Sequence, residues 1–388
     1  MDFEISEEQQ LIKDAVGKIC ADFPDEYWSR CDTEHEFPWQ FYDAMAAAGW
    51  LGIAIPEAYG GSGRGITEAS LVLETVAASG AAMNGATPLH LSIFGMQPVV
   101  KHGSEDMKQK YLPSVASGKL HVAFGVTEPD AGTDTTSIKT AARREGDHYI
   151  VRGRKVWTTK ALQSERVLLL VRTTPRDQVE RRTDGMTLLL AELQRPEVTI
   201  SPIDKVGRNA VATCEVVYDD LPVHVTDRVG EEGKGFRYLL DGLNAERILI
   251  AAEALGIGRA ALRRAVAYAN ERVVFGRPIG KNQGVAFPLG EAQMRLDAAE
   301  LMVRKAAWLL DSGQPCGAEA NMAKYLAADA CFQAADQAMQ THGGFGYARE
   351  YHVERYWREA RLMRIAPISQ EMILNFVTEH VLGLPRSY

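Results

Sequence analysis

Apolar positions over the first 120 residues recur at helical spacing. In Glu7–Cys20 they fall at Leu11, Ile12, Ala15, Val16 and Ile19, one face of a helix. The segments 38–48 and 66–79 repeat the theme, and shorter helical pieces are expected at 104–110 and 111–116. Between them GWLGIAIPEAYGGSGRG breaks a short apolar run into a glycine-rich loop. From His121 the period shortens. VAFGVTE, HYIVRGRKVWTT, VLLLVRT, MTLLLAEL, VTISPI and CEVVYDDLPVHV are β-branched-rich runs joined by turn residues, with connections too short for helical crossovers. They predict a compact antiparallel β domain. From Gly233 the helical period returns, at about 244–270, 289–311, 318–340 and 368–381, in alanine-rich segments suited to a packed bundle. The pattern therefore predicts an α+β multidomain chain: an N-terminal helical domain over 1–120, a middle antiparallel β domain over 121–232 and a C-terminal helical bundle over 233–388.

Within the bundle, Gly242–Gly258 reads GLNAERILIAAEALGIG, a helix for which Asn244 is a plausible cap. Ile248, Ala252 and Leu255 form one apolar stripe. Glu246 shares another with Ile250, Glu253 and Ile257. The plain expectation for such a carboxylate is a solvated surface position favouring the helix dipole.

Composition narrows the function. A net charge of −8 with no basic block gives nucleic acid no footing. No run of eighteen apolar residues marks a membrane span. The acidic, amphipathic N-terminus has neither secretory nor transit character, so a cytoplasmic home is expected. Five cysteines without a C-x-x-C pair suit free thiols, and nine scattered histidines lack metal-ligand spacing, so no metal is expected.

Several stretches carry candidate chemistry. Gly256-Ile-Gly258-Arg-Ala-Ala261 imitates a dinucleotide fingerprint but follows no strand, and reads as small residues for close helix packing. TEPDAGTD (127–134) leaves a strand for a loop of small, hydroxyl and acidic residues. Such a loop lets backbone N–H groups approach a ligand, although a turn built for shape is an alternative. In VWTTK (156–160), Trp157 and Thr159 alternate along a strand and so point the same way, an aromatic plane beside a hydroxyl. That pair suits a flat heteroaromatic ring, unless Trp157 is core. ERVVFGRPIGKNQ (271–283) sets Arg272, Phe275 and Arg277 at a helix end. QTHGGFGYAREYHVERYWREAR (340–361) opens with glycines that permit close backbone contact with a ligand or a neighbouring chain.

In this order and across essentially the whole chain, these motifs resemble the acyl-CoA dehydrogenase family. The resemblance implies the three domains above, FAD as cofactor, an acyl-CoA substrate, an electron-transfer flavoprotein as acceptor, and a homotetramer or homodimer. Residue by residue, it implies that Phe124, Val126, Thr127, Gly132 and Thr133 hold the flavin and its ribityl chain, with Thr133 also facing CoA. It sets Trp157 and Thr159 on the isoalloxazine. It sends Arg272, with Phe275 and Gln283, to the pyrophosphate of a neighbouring subunit's FAD, and Gln340, Gly343 and Gly344 to the adenine end. Ser369 keeps the hydroxyl of a threonine usual near the flavin. Asn244 and Arg247 are expected near CoA, where many relatives carry Asp in place of Asn244.

The chain departs from the family where most members carry the base. That glutamate stands nine residues after the arginine opening an Arg-Asp-Ala-Arg/Lys box; here the box is Arg358-Glu-Ala-Arg361 and the position is Pro367. Proline can neither take a proton nor offer an N–H. Glu371, the alternative carboxylate for the base, comes four residues too late to be the same group. A minority of relatives, including isovaleryl-CoA dehydrogenases, place the base on the earlier helix before an arginine, which here is Glu246 before Arg247. The resemblance thus implies proton abstraction by Glu246, hydride transfer to flavin N5, and a lean toward branched, cyclic or isoprenoid-like acyl groups. Alternatives are action on a carrier-protein thioester, oxygenation, or a non-catalytic flavin-binding assembly role. With Pro367 lacking an N–H, the thioester oxyanion needs Ile368 or another donor.

Overall fold

The computed structural model describes residues 5–387. Seven helices come first: α1 (Glu7–Cys20), α2 (Asp25–Glu34), α3 (Trp39–Ala47), α4 (Ile66–Val76), α5 (Ala82–Gly95), α6 (Gln97–His102) and α7 (Glu105–Ala116). α7 joins two pieces expected separately, with the Ser104 hydroxyl accepting from Met107 N at 3.2 Å as its N-cap. Strands β1 (Val122–Gly125), β2 (Ala141–Glu145), β3 (His148–Thr159), β4 (Arg166–Arg172), β5 (Met186–Glu192), β6 (Val198–Pro202), β7 (Thr213–His224) and β8 (Arg228–Val229) follow. The chain then forms α8 (Gly235–Glu271), a small hairpin of β9 (Val273–Val274) and β10 (Arg277–Pro278), α9 (Gln283–Asp311), α10 (Gly317–His342), α11 (Val353–Met363) and α12 (Gln370–His380). None of these helices is long and apolar enough to cross a membrane.

The eight-stranded sheet is mixed, where a purely antiparallel one was expected. The path β6-β7-β3-β2-β4-β5-β8 is antiparallel except where β2 meets β4, and β1 also lies parallel to β4, Val122 opposite Arg166 through Gly125 opposite Leu169. The reason is connectivity. β1 reaches β4 through the 126–140 loop, β2 and β3, a long detour that permits a parallel neighbour and that local spacing does not reveal.

α8 also differs from expectation. It opens at Gly235, so Asn244 lies inside the helix and caps nothing. Gly242 weakens the local helical preference but faces the Phe94 ring of α5, and tertiary packing carries the helix through it. α8 threads the main core, burying Ile248, Leu249, Ala252 and Leu255 among α4, α5, α9 and α10. α5, buried along its whole length, separates this helix from β1. Together α5, α8, β1 and the end of β3 enclose the ground on which the candidate site stands.

Candidate active site

Glu246 is half-buried on α8 and makes no hydrogen bond or ion pair among the described residues. Burial pushes its carboxyl up to about 7, against the pull of His90 and Arg247; Glu253 pushes the same way as burial, and Lys324 opposes it. A solvated surface carboxylate would not behave so, and the plain expectation for this residue is corrected. The charges around it are fastened elsewhere. Arg247 donates to Asn244 Oδ1 at 2.9 Å. His90 Nδ1 lies 3.1 Å from Glu253 Oε1. Lys324, buried on α10, donates to the Ile368 carbonyl at 2.6 Å. The carboxylate therefore has cationic company but no permanent partner, the state of a group available to take a proton.

The alternative carboxylate behaves differently. Glu371 is exposed, and hydrogen bonds from its own backbone and from Ser369 hold it below the usual carboxylate range. Ser369 caps α12, its hydroxyl accepting from Met372 N at 3.4 Å. The Ile368 N–H makes no hydrogen bond among the described residues, so it is a free donor next to Pro367.

A second group of expected residues gathers at the open side of the sheet. Phe124, at the end of β1, lies 5.2 Å from Phe94 between ring centroids. Val126 and Thr127 are half-buried; their carbonyls accept from Lys155 Nζ and Val156 N, both at 2.9 Å. Gly132 and Thr133 are exposed, and a Cβ added to Gly132 would meet open space. The loop is drawn in by Glu128, a buried carboxylate accepting from Lys139 N at 2.6 Å, Thr140 N at 2.9 Å and Lys155 Nζ at 2.8 Å. Burial works against that charge, but Lys155 and the backbone donors outweigh it and hold the carboxyl below its usual range.

Trp157 and Thr159 do not simply alternate. A bulge between Lys155 and Thr158 gives Trp157 a φ of 62° and leaves its indole 57% exposed, so it is not core. Thr159 turns toward Arg208, which donates to its hydroxyl at 3.1 Å and to Thr213 at 3.0 Å. The neighbouring Thr158 hydroxyl is buried without a hydrogen-bond partner among the described residues. A large exposed ring, an orphaned hydroxyl and an open glycine loop together fit a flat cofactor with hydrogen-bonding edges.

The remaining expected residues stand at the far end of α8. Arg272 closes that helix, 5.7 Å from the Phe345 ring, and lines a cleft of about 610 Å³ with Gly343, Gly344 and Tyr268. Phe275 is fully exposed at a φ of 51°; Gln283, at the start of α9, and Gln340, near the end of α10, are exposed. At about 1.5 Å per residue, Arg272 lies roughly 39 Å along α8 from Glu246. One copy of the chain does not bring the two groups together.

Three domain models of one family match in order: "Acyl-CoA dehydrogenase, N-terminal domain" over residues 6–119, "middle domain" over 123–221 and "C-terminal domain" over 233–382. The chain belongs to the acyl-CoA dehydrogenase family. It is an oxidoreductase by that membership. The acyl-CoA dehydrogenase FadE12 of Mycobacterium tuberculosis (strain ATCC 25618 / H37Rv) is 40% identical over 393 residues, 99% of this chain and 98% of that protein. Among solved structures, a glutaryl-coenzyme A dehydrogenase in complex with glutaryl-CoA superposes with a TM-score of 0.95 at 30% identity, covering 100% of this chain and 98% of the other. The FAD complex of PigA gives 0.93 at 26%, covering 99% and 100%.

Around the expected site of this acyl-CoA dehydrogenase stand His90, Lys324 and Arg208, which no motif marks, and Glu253, whose place on the Glu246 stripe the sequence shows but whose burial it does not. All four are buried or nearly so in apolar surroundings. Their signal was available, since histidine or lysine inside an alanine-rich or apolar helix is unusual unless paired. What sequence spacing does not supply is the partner.

Proposed function

We propose that this chain dehydrogenates the α,β bond of an acyl-CoA thioester with Glu246 as the base. The observation that carries the reading is the partnerless, half-buried Glu246 carboxyl at about 7, beside a turn whose usual base position is Pro367. A base with that affinity is ionised in good part at neutral pH yet basic enough to draw a proton activated by a thioester. His90, Arg247 and Lys324 favour its ionised form, and burial keeps it reactive. The free Ile368 N–H, held in place by the Lys324 bond to the same residue's carbonyl, supplies a donor for the thioester oxygen.

The cofactor is FAD; when bound it would supply the acceptor for the hydride lost from the β carbon. Phe124, Val126, Thr127, Gly132, Thr133, Trp157 and Thr159 hold its flavin half. Arg272, Phe275, Gln283, Gln340, Gly343 and Gly344 of another copy hold the remainder; the roughly 39 Å along α8 between Glu246 and Arg272 supports that division. Phe287, Met294, Leu301 and Trp308 stand every seventh residue along α9, all exposed, and support assembly into a homotetramer through a helical seam. Asn244 and Arg247 face CoA, an electron-transfer flavoprotein takes the electrons, and the earlier-helix base supports a lean toward branched, cyclic or isoprenoid-like acyl groups.

Anaerobic mixing of the purified protein with a panel of acyl-CoAs tests this. The flavin absorbance should bleach with a preferred thioester, and Glu246→Gln should keep FAD but lose the bleaching. A yellow protein that no CoA thioester bleaches, or a Glu246→Gln protein that still bleaches, overturns the reading.

A further inference from the structure

α5 is apolar along most of its buried length, yet it carries His90 where it packs on α8. The His90 ring meets Glu253 at 3.1 Å, with 7% and 0% of the two side chains exposed. The second Glu253 oxygen has no hydrogen-bond partner among the described residues. Helix packing does not ask for this pair, because desolvating two charged groups is costly and a well-packed apolar pair does as well or better for stability. Its place on α8 is informative. Glu253 follows Glu246 by two helical turns on the same face, so the His90 ring lies against the face that carries both carboxylates. Its Nε2 makes no hydrogen bond among the described residues.

We propose that His90 and Glu253 are a positioning pair for the base: Glu253 anchors the imidazole and keeps it protonated, and the resulting fixed cation holds Glu246 in its ionised, proton-accepting form. This rests on Glu246 being the base. The groups facing Glu246 are His90 from α5, Arg247 and Glu253 from α8, and Lys324 from α10. Arg208, from the loop before β7, faces His90 and opposes its protonation, while Glu253 and Glu246 favour it. Of the cations around Glu246, His90 draws its carboxyl down most strongly. Arg247 and Lys324 each give a donor, to Asn244 and Ile368 respectively, although the buried Arg247 Nε, like the His90 Nε2, has no hydrogen-bond partner among the described residues.

The test is the pH dependence of single-turnover flavin bleaching in the FAD-loaded enzyme, with a histidine NMR titration beside it. His90→Gln should move the acid limb upward by about half a unit or more, a roughly threefold loss of rate below the limb. FAD content should be unchanged, and His90→Lys should return the limb toward wild type. In wild type the His90 ring should titrate above an ordinary histidine, and in Glu253→Gln it should fall back. A limb unmoved in an FAD-bound His90→Gln protein overturns the proposal. So does a His90 ring that is neutral at pH 7 in the wild type, a measurement that stands even if the variants fail to fold. Bleaching retained in Glu246→Gln instead sinks the base assignment.

Discussion

The Lys324 ammonium donates to the carbonyl of Ile368 at 2.6 Å, tying α10 to the turn that carries Pro367. One buried cation thereby serves two ends of the site: it fixes the turn, and its charge reaches Glu246 on α8. Burial pushes Lys324 down from an ordinary 10.5 to about 8, with Glu371 and Glu246 drawing it up and Arg247 drawing it down. The folded chain then binds fewer protons than the unfolded chain between about 8 and 10.5. Stability from this group is present above that window and is lost as pH falls through 8. Lys324→Met should flatten the slope, narrowing the gap in unfolding free energy between pH 8 and pH 10 by an amount on the order of 1–3 kcal/mol. Urea unfolding at the two pH values measures it, and an unchanged gap would refute it.

Glu246→Gln should trade activity for stability. Loss of a positioned base costs about 10²–10⁴ in rate. With Glu246 as the proposed base, the wild-type bleaching rate should rise with pH through about 7, where its carboxyl ionises. The same group rises from an ordinary 4.5 on folding, so its stability contribution is full below 4.5 and is lost as pH rises through 7. At pH 8 the glutamine variant should therefore be more stable, by about 1–3 kcal/mol. Stopped-flow bleaching and thermal unfolding check the two halves separately.

Arg272→Ala should weaken FAD binding and subunit association together, since Arg272 and Glu246 stand too far apart on α8 to serve one cofactor within one copy. Flavin retention on dilution and sedimentation velocity give the two readings. FAD affinity equal to wild type would remove the cross-subunit contact.

Leu301→Glu with Trp308→Glu should dissociate the assembly and leave each copy folded. Both side chains are at least half exposed on the α9 stripe, so charge there costs the isolated chain little. Light scattering on the variant decides it, and an unaltered mass would exclude this face as a seam.

Glu128→Ala should destabilise the middle domain by about 3–5 kcal/mol, because it leaves the buried Lys155 ammonium without its counter-charge. The double change Glu128→Ala with Lys155→Met should recover much of that loss. A single variant as stable as wild type would show that the loop holds without this pair.

Helical and strand periods are local properties, and they were legible in the residues. The helical runs, the change of period at His121 and the motifs from TEPDAGTD to QTHGGFGY all follow from patterns within a few turns or strands. Pro367 too announces from the sequence alone that it holds no proton acceptor, because the chemistry of proline is independent of fold. Four things were not legible. The parallel seat of β1 beside β4 depends on a partner some forty residues away. The run of α8 from Gly235 through Gly242 lies beside Phe94 of α5, a neighbour that local spacing does not reveal. The exposure of Trp157 depends on a bulge set by the register against β7. Above all, the state of Glu246 belongs to the tertiary structure. Its helix offers the carboxylate, but α5 and α10 remove the water and bring His90 and Lys324 to it, and burial against charge is what sets its proton affinity.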